Sequence, residues 1–229
     1  MSQARFFPVR VLVCIAAAAL TACAPLPQTP PSRVSPQAME VLSHSPLPAT
    51  LNPLQRQQWL DRVTWGANDH DAALLQQQGL KSWLQTQLTP SMQPMPAEVQ
   101  QRINALSISQ QTITQLQREV AARRETIRAA QDPDEGARLR NELQKRLSEL
   151  SADAQKRQIL RNLYSPHQLQ EQMTWFWMNH FNVSTRKGDI RLWVGDYEEQ
   201  AIRPHALCNF RDLLAASMRH PAMLQYLDN

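Results

Sequence analysis

The chain has 229 residues, 42 % of them hydrophobic and 19 % charged, with a formal charge of +4. Both cations in the first 22 residues, Arg5 and Arg10, precede an apolar run, and without that acid-free segment the charge is +2. So weak a positive balance gives no ground for a nucleic-acid partner.

The apolar run Val11 to Leu20 is half the roughly 20 residues a membrane-spanning helix needs. Behind a basic start, it has the length and flanks of a secretory signal over 1–22. Leu20-Thr21-Ala22-Cys23 resembles the lipobox of bacterial lipoproteins, which implies lipidation of Cys23. More than one acyl chain makes such anchoring stable. Ala24 stands where aspartate would resemble an inner-membrane retention signal, so the resemblance implies the outer membrane, on its periplasmic face. That compartment is oxidising. Once Cys14 is removed and Cys23 acylated, Cys208 has no partner for an internal disulfide.

Residues 23–53 read as a proline-rich tether, with eight of the sixteen prolines between positions 24 and 53. Proline lacks an amide donor and favours extended backbone. The apolar piece Met39-Val41-Leu42 is the part suited to docking on the body. Residues 54–229 read as helical throughout, with five glycines in the whole chain and no bounded period-2 alternation. The expected fold is all-α, a multi-helix bundle with a long helical hairpin inserted at 97–163. Leu54–Val63 forms a first helix. Asn68 or Asp69 caps Ala72–Gln78, Gly79 breaks it, and Lys81–Leu88 runs to Thr89-Pro90.

In the hairpin, Val99, Ile103, Leu106, Ile113, Leu116, Val120 and Ile127 mark one apolar stripe. After the breaker Asp132-Pro133-Asp134-Glu135-Gly136, the stripe resumes at Leu139, Leu143, Leu147, Leu150 and Ala154. Eleven Lys/Arg against eight Asp/Glu between 118 and 161 describe a solvated face laced with i, i+4 pairs.

The stretch WFWMNHFNVS, residues 175–184, is the densest in aromatic side chains. Leu169, Met173, Phe176, Trp177 and His180 form one stripe of the helix begun at Ser165-Pro166, and Trp175, Met178 and Asn182 form its neighbour. A helix apolar over most of its circumference is expected to lie deep in the fold. Its polar end, Asn179 and His180, then needs partners, and the loop around Arg203 and His205 is the expected tie. Glu199, Arg211 and Asp212 complete the candidate polar site. These residues could form a metal site or a general acid–base pair. Their spacing matches no diagnostic motif, so a satisfied structural network is the favoured reading and no metal or cofactor is assigned.

The strings QEQMTWFWMNHFNVS and IRPHALCNFRDLLAASMRHPAMLQYLDN, with residues 59–90, resemble the bacterial family called domain of unknown function 1800. The resemblance covers about 59–90 and 160–229 and implies a largely α-helical, often exported protein. It also implies association with a second exported, sulfatase-like family numbered 1501. Two departures stand out. Met178 occupies a position where family members commonly carry histidine, and Tyr226-Leu227-Asp228-Asn229 falls mid-domain, which implies either a truncated frame or a separate chain that completes the fold. The expected function is a lipid-anchored, non-catalytic scaffold or assembly module. The alternatives are a metal-assisted periplasmic hydrolase using His180 and His205, with Arg203 or Arg211 clamping an anionic substrate, and a non-functional fragment.

Overall fold

Local signals start and stop the helices. In the computed structural model, which describes residues 36–89 and 94–228, the first helix is α1, Pro36–His44. It departs from the extended tether expected of so much proline. Pro36 occupies the first turn, where a missing amide donor costs nothing. Leu42 is buried, and Lys81 Nζ donates to the Ser43 carbonyl at 2.8 Å. The signal segment 1–22 and Cys23 lie outside the described residues.

Helix α2, Pro53–Val63, begins at a capping box in which Asn52 and Gln55 exchange side-chain and backbone bonds. Helix α3, Asp69–Leu88, is capped by Asn68, whose side chain accepts from the Asp71 amide. It kinks at Gly79 (φ 75°, ψ 160°), the expected break, and the two pieces pack as one bent unit. Leu60, Val63, Leu75, Leu80 and Trp83 form their shared core.

The hairpin is built differently from two plain arms. Its first arm is cut into α4, Ala97–Asn104, α5, Ser107–Gln110, and α6, Ile113–Ala129. Thr112 restarts the helix with a second capping box to Gln115. The second arm, α7, is a single helix, Pro133–Tyr164, of 32 residues, about 48 Å long at 1.5 Å per residue. It starts six residues earlier than the stripe suggested, because Asp132 caps it and Pro133 fits its first position. Leu143, Leu147 and Leu150 pack against Leu116 and Val120 of α6 and against Leu192. Arg146 ties the arms together: it donates to Glu119 Oε1 at 3.0 Å, Ser107 Oγ at 3.0 Å and Gln111 Oε1 at 3.0 Å. The contact with Leu192 seats the arm on the body around Leu143, Leu147 and Leu150.

Helix α8, Gln168–His180, leads through a turn to α9, Ile190–Asp196, which runs directly into a π-helical turn, Tyr197–Ile202. A single 3-10 turn, Arg203–His205, follows, then α10, Phe210–Arg219, and α11, Pro221–Tyr226. Val183, Ile190, Tyr197, Ile202, Leu213, Ala222 and Met223 form the core these segments share. The described residues contain no strand, so the fold is all-α.

Helix α8 overturns the expectation of a deeply buried aromatic rod. Its buried residues are Gln168, Glu171 and Thr174, while Trp175 and Phe176 are 46 % and 48 % exposed. Trp177, Met178 and Phe181 reach the core from the side. The polar face points inward because its partners are there. Gln168 Oε1 accepts from the Trp65 amide at 3.1 Å, and its Nε2 donates to the carbonyls of Asn162 and Ser165. Gln87 spans the same entry, donating to the Pro166 carbonyl and accepting from the Leu169 amide. Each such buried bond contributes only about 1 kcal/mol, but leaving its groups unpaired would cost 1–3.

The kink generates the first prediction. A Cβ at Gly79 would meet nothing within 4 Å, yet its backbone conformation lies in a region essentially restricted to glycine. Gly79→Ala is expected to destabilise the fold by about 1–3 kcal/mol in urea denaturation. A loss below 0.5 kcal/mol would show that the bend is not imposed by this residue.

Candidate functional site

The residues of most chemical interest converge on the π-turn. A π-helical turn inserts one extra residue per turn, and here the Arg203 amide bonds back to the Glu198 carbonyl. Such turns often mark functional sites. This one places Glu198 and Glu199 side by side toward α7. Arg161 of α7 meets Glu199 with two parallel bonds, Nη1 to Oε1 at 2.5 Å and Nη2 to Oε2 at 2.7 Å. Arg157, one turn earlier, donates Nη2 to the Gly195 carbonyl at 2.5 Å and sits 3.7 Å from Glu199. A Cβ on Gly195 would lie 3.3 Å from Ala154 Cβ and 3.4 Å from Arg157 Nη2, so its small size lets α9 come this close to α7.

From the other side, Arg203 reaches Glu171 of α8, Nη2 to Oε1 at 2.6 Å and Nε to Oε2 at 3.2 Å. Three arginines and three glutamates thus form one knot among α7, α8 and the π-turn. The charges balance when all are ionised. Glu171 is only 2 % exposed and Glu198 3 %, a depth at which charges persist only when paired.

The two adjacent carboxyls are treated oppositely. Glu198 has an Oε1 with no protein hydrogen-bond partner, 3.9 Å from Arg161. Burial pushes its pKa up to about 7, against the pull of Arg157 and Arg161. Burial acts upward on Glu199 too, but the Arg161 hydrogen bonds and the charges of Arg161, Arg157 and Arg203 outweigh it and hold that carboxyl below its usual range. Arg157 Nε also lacks a partner, and burial lowers the Arg157 pKa.

A second polar group closes the end of α9. His220 Nδ1 accepts from the Ala222 amide at 3.1 Å, which places the ring proton on Nε2, 3.0 Å from Asp196 Oδ2. Tyr197 donates its hydroxyl to the Phe181 carbonyl at 3.0 Å and receives the Ser217 hydroxyl at 2.6 Å. Ser217 therefore bonds to the tyrosine rather than to the histidine, and the group holds α8, α9, α10 and α11 in register.

The seven candidate residues do not assemble into one site. Glu199 and Arg203 belong to the charged knot. Asn179 is exposed and donates to the Trp175 carbonyl of its own helix at 2.7 Å. His180, also exposed, contacts the rings of Phe176, Trp177 and Phe181. His205 Nδ1 lies 3.0 Å from the Ala201 carbonyl. Arg211 is exposed, and Asp212 sits half-buried in the first turn of α10. The tie expected from Asn179 and His180 to the Arg203 loop is made instead by Glu171, one face away, and by Trp177 Nε1 donating to the Ala206 carbonyl at 3.1 Å. Sequence reasoning missed Arg157, Arg161 and Glu171. Their signal was available, since Arg157 and Arg161 fall three and seven residues after Ala154 and put two cations where the apolar stripe of α7 would continue. Among the described residues, no three His, Cys, Asp or Glu side chains come together in a metal-binding arrangement.

The knot yields two expectations. Arg203→Ala strands Glu171 as a buried charge and is expected to cost about 3–5 kcal/mol; a loss under 1 kcal/mol would mean that Glu171 is solvated. The Glu198 carboxyl binds a proton in the folded chain at pH values where the unfolded chain has lost it. Its contribution is therefore complete below the ordinary glutamate range and is lost as pH rises through about 7. Glu199 acts in the opposite sense, losing its contribution as pH falls through its lowered value. Glu198→Gln is expected to raise stability at pH 8 by roughly 1–3 kcal/mol and to leave it unchanged at pH 5. Equal effects at both pH values would refute the assignment.

Comparison with known proteins places this arrangement in a family. No curated protein and no solved structure matches the chain. Residues 58–229 match the sequence model of the family described as "Protein of unknown function (DUF1800)", a span that takes in α3 to α11 and every residue of the knot. The match runs through the hairpin as well as the flanking motifs and covers more than half of the chain, and the chain belongs to this family.

Proposed function

We propose that the protein is a lipid-anchored, non-catalytic helical scaffold at the periplasmic face of the outer membrane, working with a second exported protein. Acylation at Cys23, in the lipobox-like Leu20-Thr21-Ala22-Cys23, is the basis for the anchor. A sulfatase-like protein of the family numbered 1501 is the proposed partner, by the analogy already drawn. One observation carries the scaffold reading: the paired charges of the knot are spent between helices. Glu199 is taken up by Arg161, and Glu171 by Arg203. A catalytic carboxyl must reach a reacting atom, and these two reach guanidinium groups already. The same bonds stiffen the body, which is what a surface presented to a partner requires.

The hydrolase alternative gains no comparable support. His180 and His205 lie in separate surroundings, one against aromatic rings and one against a backbone carbonyl.

Cross-linking in the producing cell, followed by isolation of the tagged chain from membranes, tests the proposal. A single stoichiometric exported partner is expected, with unchanged yield for His180→Ala/His205→Ala. Recovery of the chain without a partner, or loss of its cellular role in that variant while it remains folded and abundant, would sink the scaffold reading. Mass spectrometry of the peptide beginning at Cys23 checks the anchor separately.

A further inference from the structure

Between α6 and the start of α9 lies a cavity of about 360 Å³, near the lower end of the size range of small-molecule sites. One face of α6 forms its first wall, where Val120, Ala121, Arg124 and Arg128 recur at helical spacing. Asp189, Leu192 and Trp193 form the second wall. Val120 and Leu192 are buried, so the floor is apolar. Trp193 packs against two cores at once, that of the hairpin and that around Tyr197, and the part of its surface left uncovered lines the cavity. Ala121, Glu125 and Arg128 are exposed, which leaves the mouth open to solvent.

The rim carries both signs in equal measure. Arg124 Nη2 donates to Asp189 Oδ1, and Arg128 Nη1 donates to Glu125 Oε1. Each pair is held by a single contact. A guanidinium presents several N–H donors in a fork and a carboxylate presents two oxygens, so all four side chains keep an unspent edge. Arginines that join helices elsewhere are used more fully. Arg146 commits three nitrogens, to Glu119, Ser107 and Gln111. Arg161 and Arg203 each commit two to one glutamate. Arg124 also joins two segments of the fold, yet it bonds through one nitrogen and its side chain stays 40 % exposed. Cationic and anionic edges thus stand side by side, unspent, above an apolar floor.

We propose that this cavity binds a small zwitterion with an apolar side chain, a free α-amino acid or a dipeptide. The ligand carboxylate meets the free edge of Arg124. Arg128 joins it, because an exposed pair such as Arg128–Glu125 is worth little and exchanges readily. The ligand ammonium meets the free oxygen of Asp189, and the apolar side chain lies on Leu192 and Trp193. The mixed rim selects this class against others. A dicarboxylate would bring like charge to Asp189 and Glu125, and a diamine would bring it to Arg124 and Arg128. A neutral apolar molecule would cover the unspent edges without bonding them, which costs about 1–3 kcal/mol for each group left unpaired. The site goes beyond the scaffold reading and needs neither the anchor nor the partner, so its failure leaves that reading untouched.

The test follows the indole N–H signal of Trp193 in the nitrogen-15-labelled full chain, assigned by its disappearance in Trp193→Phe. L-phenylalanine and phenylalanyl-phenylalanine are titrated, alongside phenethylamine, which lacks the carboxylate, and 3-phenylpropionate, which lacks the ammonium. A saturable shift is expected with at least one zwitterion, and each single-charge analogue is expected to bind about tenfold more weakly. Tighter binding of phenylalanine would assign the site to free amino acids, and tighter binding of the dipeptide to short peptides. Arg124→Lys keeps the charge but loses the fork, and is expected to weaken binding about fivefold. Ala121→Trp fills the mouth from an exposed position and is expected to abolish the shift. It changes one exposed side chain and keeps the test decisive should Arg124→Lys loosen α6. No saturable shift with either zwitterion up to about 10 mM would overturn the proposal. Equal affinity for the single-charge analogues, or an unchanged shift in folded Ala121→Trp, would do the same.

Discussion

The paired bonds between Arg161 and Glu199 set the arrangement of everything around them. They hold the π-turn against α7, and the turn then presents Arg203 at the height where Glu171 of α8 can meet it. Burying these ions is costly on its own terms, and apolar side chains of similar volume could serve stability as well. What ion pairs add is a requirement of geometry, since a guanidinium and a carboxylate match in one orientation and fail in most others. The rotation of α8 about its axis follows from that match. Its carboxylate and glutamine face inward, and Phe176, across the helix from Glu171, is left at the surface.

That rotation connects the energetics to the character of the surface. A helix whose aromatic stripe filled the core would leave the knot's partners in water and the surface polar. The observed rotation does the reverse. It buries Glu171 against Arg203 and leaves Phe176 in a band with the exposed rings of Trp65, Trp175 and Phe210, which water alone solvates poorly. Stability and surface character are two results of one packing decision. The group of Asp196, His220, Tyr197 and Ser217 supports it from behind by fixing α10 and α11 against the π-turn, so that Phe210, Leu214 and Met218 extend the same band.

Much of the fold was legible locally. Asn68 and Gly79 place the start and the bend of α3 where their chemistry suggests, and Thr89 caps its end. The spacing of Leu143, Leu147 and Leu150 announces the face that α7 buries. Local reading failed in three places, each for a definite reason. Proline density outweighed the helical pattern of Pro36–His44, although proline is harmless in a first turn. The apolar stripe of the hairpin's first arm suggests one continuous helix, although Thr112 and Gln115 cap a new one within it. In α8, apolar spacing carries no information about the partners that draw Glu171 and Gln168 inward. Those partners stand up to about a hundred positions away in the chain, at Arg203 and at the Trp65 amide. Of the candidate polar site, Glu199 and Arg203 lie in the knot, while Asn179 and His180 lie outside it.

The amino-acid sequence by itself determined the helical class, the caps and breaks of most helices and the apolar face of the long arm, because each depends on residues within a turn or two of one another. Tertiary structure alone decided which side of α8 faces inward, and with it which charges are hidden and which rings are shown. Ion pairing between distant segments has a direction that hydrophobic spacing lacks, and the direction exists only once α7, α8 and the π-turn have been brought together.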